Sequence, residues 1–145
     1  MAEKTTPTAN GITLDEAHGI IAAARAKAEE INVPMNIAVV DTGSNLTAFA
    51  RMDGAWLGSV DIAISKAKTA RFFDMTSENL GAASQSGQPL FGIQAGNNGN
   101  IIIFGGGIPL VRGGVVVGAI GVSGGSVPHD IEVADAGVES FNKPV

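Results

Sequence analysis

Leu14, Ala17, Ile21, Ala24, Ala28 and Ile31 fall at alternating three- and four-residue steps, a single apolar stripe that predicts a first helix. Thr13 and Glu16 stand ahead of it at capping-box spacing, and Asn32 and Pro34 stop it. Residues 36–41 (Asn-Ile-Ala-Val-Val-Asp) and 46–52 (Leu-Thr-Ala-Phe-Ala-Arg-Met) read as two strands. Thr42-Gly43-Ser44-Asn45 supplies turn chemistry between them, so the pair predicts an antiparallel hairpin. A second helix is predicted over residues 57–73 with Val60, Ala63, Ile64 and Ala67 inward, and Thr76 is placed to cap a short third one. Asn98-Gly99 marks a turn, and Ile101-Ile102-Ile103-Phe104 reads as a buried strand.

From residue 105 to 125 an apolar run is broken by nine glycines: Gly105, Gly106, Gly107, Gly113, Gly114, Gly118, Gly121, Gly124 and Gly125. Gly113-Gly114, between two β-branched runs, suits a primed two-residue hairpin turn. Gly105, Gly106 and Gly107 read as a bare-backbone rim against which something flat could lie. Pro128 suits the first position of a last helix, with Asp130 and Glu132 in its first turn and Ile131, Ala134, Val138 and Phe141 as its stripe. The order predicts an α/β protein: an antiparallel sheet of about five strands with helices packed on it. Residues 1–12 read as a flexible N-terminal tail and 13–145 as a single domain.

The composition is 45% hydrophobic but only 5% aromatic, so the chain packs closely from small side chains, and further burial between copies is expected. With 9 basic and 14 acidic residues the net charge is -5, which argues against nucleic acid or an anionic membrane as partner. The absence of cysteine removes disulfides, thiolate nucleophiles and zinc-thiolate sites. No apolar signal-like segment opens the chain, and Pro109, Arg112 and the paired glycines split its longest apolar run into two strands. A cytoplasmic protein is expected.

Several motifs, in order, resemble the GlcG/HbpS family, a group related to the C-terminal domain of PduO proteins. They are Val39-Val40-Asp41 with Gly43; Arg51-Met52-Asp53-Gly54-Ala55; and Ala63 with Lys66-Ala67 and Thr69-Ala70. Gly106-Gly107-Ile108-Pro109-Leu110, Gly114, Val117 to Gly125 and Asp130 complete the match, which runs from Leu14 to about Phe141. The resemblance implies a profilin-like α/β/α fold, a homo-oligomer from dimer up to octamer, and a small-molecule ligand: haem or a related tetrapyrrole. It also implies links to haem or iron handling, or an accessory role in a catabolic operon.

Against that background the two histidines stand out, since haem iron commonly takes an imidazole. His18, beside the stripe of the first helix, is the candidate axial ligand; its other reading is a packed or half-exposed helix-flank residue. His129, where the family more often has a glutamine-like residue, is a candidate general base or metal ligand, with Asp130 orienting a neighbour or capping the helix. As adjacent helical residues the two do not share a face. Arg51 suits a bidentate clamp on a carboxylate, with Asp53 as its partner or as a helix cap. Lys66 is a second anion contact or a solvated helix lysine. Asp41 reads as a turn-former. Gly121-Val122-Ser123-Gly124-Gly125 matches a hydrolase elbow, but the chain is short for that fold and its last helix starts late. The alternative to tetrapyrrole binding is a cofactor-independent enzyme for a small carboxylic acid or aldehyde. Arg51 would then anchor the anion while His129 and Asp130 move the proton.

Overall fold

In the computed structural model, residues 11–144 are described. Four strands, β1 (Asn36–Val40), β2 (Leu46–Arg51), β3 (Gly107–Arg112) and β4 (Val115–Ser123), form one antiparallel sheet in the order β2-β1-β4-β3. β1 is buried along its whole length because both faces of the sheet are covered there. Ile37 and Val39 turn toward α1 (Leu14–Glu30) and α4 (Val127–Asn142), where Ile20, Ala24, Leu110, Val117, Ile120 and Val133 complete the larger core. Ala38 and Val40 turn the other way, toward α2 (Gly58–Phe73), and meet Ala63, Ala67, Ala70 and Ala119.

The two faces differ in grain. The α1/α4 side is filled with branched side chains, whereas the α2 side is almost all alanine and glycine, so α2 lies close on the strands. A Cβ built at Gly121 stands 2.0 Å from the Ala63 carbonyl oxygen and 2.5 Å from the Ala67 nitrogen. That contact, rather than any turn, is why β4 carries a glycine there.

Local chemistry sets most element ends as the sequence predicts. The Thr13 and Glu16 side chains accept from each other's backbone N–H at 3.0 Å, a complete capping box. Asn32 ends α1's run with φ +56°. Asp41 Oδ1 accepts from the Gly43 and Asn45 N–H groups, forming the β1–β2 turn. Gly113 and Gly114 both have positive φ, as a primed turn requires. Thr76 caps α3 (Ser77–Ala83).

Two expectations are corrected. Residues 101–104 are not a strand, so among the described residues the sheet has four strands rather than about five. The segment is instead strapped over the helices. The Ile102 N–H donates to Thr69 Oγ1, the Gly107 N–H to Ser77 Oγ, and Gly81 leaves room for the Ile103 carbonyl. Helix α4 starts one residue earlier than predicted, at Val127, with Ser126 as its N-cap and Pro128 in second place. Of the expected tail, residues 1–10 lie outside the described residues. Gly11 and Ile12 are anchored: Ile12 packs on the core, and the Gly11 carbonyl accepts from Arg112 Nη1 at 3.1 Å.

Gly121→Ala should therefore lower stability by about 1–3 kcal/mol in urea unfolding. Gly19→Ala, where the new Cβ meets nothing within 4 Å, should raise it by roughly 0.5–1 kcal/mol. Equal effects at the two glycines would contradict the close approach of α2.

Candidate ligand-binding groove

Helix α1 presents a second stripe to solvent. His18, Ala22, Arg25, Ala26 and Glu29 stand at i, i+4, i+7, i+8 and i+11 and are all exposed. β2 is an edge strand of the described sheet; Ala50 turns toward α1, Phe49 toward the α2 side, and both border a cleft of about 490 Å³ that His18, Ile21, Ala22 and Ala26 also line. A second cleft of about 310 Å³ adjoins it, lined by Arg51, Met52 and Asp53 and sharing Arg25, Glu29 and Ala50 with the first. The two form one groove, apolar near His18 and charged at the far end. Its size lies within the range of small-molecule sites.

At the charged end Arg25 Nε donates to Glu29 Oε1 at 2.9 Å. Arg51 donates from Nε and Nη2 to the Ala55 carbonyl at 3.3 and 2.9 Å, which holds the loop after β2. Two of the predicted site residues, His18 and Arg51, thus lie on one continuous surface.

Lys66, Asp130 and the glycines at 105–107 meet elsewhere, where α2 and the first turn of α4 come together near the end of β4. Lys66 is fully buried; its Nζ donates to Asp130 Oδ2 at 2.8 Å and to the Val122 carbonyl at 2.9 Å, with the Phe104 ring centroid 5.0 Å away. Asp130 is 2% exposed, and its Oδ1 accepts from the Gly125 N–H at 2.9 Å. Burial pushes the Lys66 ammonium below the usual lysine range, and the Asp130 carboxylate opposes that shift. Lys66 is therefore not a solvated helix lysine, and its ammonium is held by groups of the protein itself. Nor does Asp130 cap its helix: Ser126 does, and Asp130 ties the Gly124-Gly125 loop to Lys66.

Gly105, Gly106 and Gly107 are buried, the last two against the same lysine and Gly105 against Ile131, and make no open rim. Added Cβ atoms would stand 2.5 Å from Ile131 Cδ1, 2.8 Å from Lys66 Nζ and 2.3 Å from the Lys66 carbonyl oxygen. His129 is exposed in the first turn of α4, apart from Asp130's buried carboxylate. Ser123 is buried at the end of β4 with no exposed elbow. No group of three His, Asp or Glu side chains is placed to hold a metal ion among the described residues.

Residues 12–139 match the family model described as haem degrading protein HbpS-like. The chain belongs to the HbpS-like family. It is 42% identical over 132 residues to an uncharacterized 15.0 kDa protein from the dhaT-dhaS intergenic region of Citrobacter freundii, covering 91% of this chain and 93% of that one. The crystal structure of Klebsiella pneumoniae protein ORFY superposes with a TM-score of 0.92 at 39% identity, over 100% of this chain and 99% of the other. A second neighbour is the PduOC:heme complex, with a TM-score of 0.88 at 32% identity, over 91% of this chain and 96% of that chain. The α/β/α fold expected from the GlcG/HbpS resemblance is the fold of this HbpS-like protein.

The groove residues Ala22, Arg25, Ala26, Glu29 and Phe49 were not singled out by the sequence reading. The available signal was the spacing of small and charged residues from His18 along the polar side of α1.

In this HbpS-like chain the buried pair should behave as a unit. Asp130→Ala should cost about 3–5 kcal/mol by leaving Lys66 buried without its counter-charge, while Lys66→Met with Asp130→Leu should cost much less. A chemical-denaturation double-mutant cycle checks this, and additive losses would contradict it.

Proposed function

We propose that this chain binds haem in the α1–β2 groove, with the His18 imidazole as iron ligand and the charged end receiving the acid groups. One observation carries the reading: an exposed imidazole stands at the apolar end of a groove whose other end carries Arg25 and Arg51. The donor set fits the group. An imidazole suits haem iron, the methyl groups of Ala22 and Ala26 leave room for a flat ring against α1, and guanidinium groups pair with carboxylates. Haem, when bound, supplies an iron centre capable of ligand exchange and electron transfer. The haem complex of the PduOC relative and the haem-degrading description of the family support the same ligand class.

The proposal is binding and handling of haem, within haem or iron metabolism or as an accessory to a catabolic operon. The small-acid alternative requires Arg51 to work with His129 and Asp130, but Asp130 is buried and both its oxygens are engaged, by Lys66 and Gly125. The groove is open to solvent along its length, and Trp56 and Leu57, beside the Arg51-anchored loop, are 66% and 76% exposed. Self-association, from dimer up to octamer, would cover such surfaces, and it belongs to the proposal. No helix among the described residues is long and apolar enough to cross a membrane.

Haemin titration followed by difference absorption should give a saturable Soret change that His18→Ala weakens at least tenfold. Sedimentation of the same sample should give a mass above one chain. Non-saturating binding that ignores the substitution would overturn the haem reading, and a strict monomer would overturn the oligomer.

A further inference from the structure

The charged end of the groove holds an ion pair with no evident structural purpose. Arg25 and Glu29 are paired at 2.9 Å, yet their side chains are 63% and 56% exposed, and neither holds another element of the fold. Their order is also the less favourable one, since a helical pair stabilises more with the acid on the N-terminal side. A pair so exposed contributes little to folding and exchanges partners readily. Its position is more telling. Arg25 lies seven residues after His18, about 10 Å along the helix axis at 1.5 Å per residue. On that stripe only the methyl group of Ala22 stands between them, and Ala26 lies beside Arg25. This is the spacing between the centre of a flat macrocycle and an acidic arm at its edge. Arg51, by contrast, already has Nε and Nη2 committed to the Ala55 carbonyl.

We propose that Arg25 anchors the acid edge of the ligand and that Glu29 holds the place that a ligand carboxylate takes on its guanidinium. An incoming carboxylate takes the place of Glu29 on the Arg25 guanidinium, so one protein–protein ion pair is exchanged for one protein–ligand pair. Glu29 thereby becomes a specificity device. A ligand carrying a free carboxylate displaces it, whereas a neutral ester of the same macrocycle gains nothing in exchange and leaves Arg25 paired with Glu29. The inference rests on the haem reading and adds the chemical requirement for a carboxylate edge.

The test compares haemin with haemin dimethyl ester on the full chain, in one detergent-containing buffer. Wild type should bind haemin on the order of tenfold more tightly than the ester, as a charge-assisted contact allows. Glu29→Gln should tighten haemin about threefold and leave the ester unchanged, because the competing carboxylate is gone while Arg25 remains. Arg25→Gln should bring haemin down to the level of the ester. Both positions are exposed, so circular dichroism and melting should stay close to wild type. Equal binding of haemin and its ester to wild type, or a haemin-to-ester ratio unmoved by Glu29→Gln, would overturn the placeholder while leaving His18-dependent haem binding intact. Failure of both ligands to bind saturably would overturn the haem reading and this inference together.

Discussion

The close approach of α2 to the sheet governs the arrangement of everything else. It is possible because Ala38, Ala63, Ala67, Ala70, Ala119 and Gly121 offer almost no side-chain bulk at that contact. With α2 so near the strands, Lys66 cannot reach water, and its ammonium must be satisfied inside. Asp130, from the first turn of α4, and the Val122 carbonyl do this. The space beside Gly106 and Gly107 is taken by this buried cation and its helix, and the space beside Gly105 by Ile131 of α4. One constraint thus fixes α2, the end of β4, the start of α4 and the strap over residues 101–106.

The opposite face is freer. There the sheet meets α1 and α4 through Ile, Leu, Val and Met, and the bulk of those side chains leaves α1 with a complete outer stripe that no other element covers. β2 lies at the edge of the sheet, with no strand beyond it among the described residues. A groove at this junction is a consequence of the layering, and α1's sequence determines what lines it. The tightly packed half of the HbpS-like fold holds the frame, and the open half carries the proposed groove.

Much of this was legible from sequence because it depends on near neighbours. The capping box of Thr13 and Glu16, the Asx turn at Asp41 and the glycine pair at 113–114 are decided within a few residues, and each appears as expected. The rest depends on partners far along the chain. Lys66 meets an aspartate 64 positions away, so no local pattern marks it as buried. Ile101 to Phe104 have the composition of a strand, but hydroxyl groups of α2 and α3 capture that segment's neighbourhood first. The glycine run was read as open backbone, whereas its emptiness is filled from within by Lys66 and Ile131. His18 and Arg51 were recognisable as chemistry. Their common groove was not, because it requires knowing that β2 lies beside α1's polar side.

The most direct test of the central claim is hydrogen–deuterium exchange of the chain with and without haemin. The account predicts slower exchange over residues 18–29 of α1 and 49–53 of β2, with residues 101–107 and the start of α4 unchanged. Protection centred on 101–107 and 124–130, with α1 unaffected, would move the ligand to the Lys66 side and contradict it.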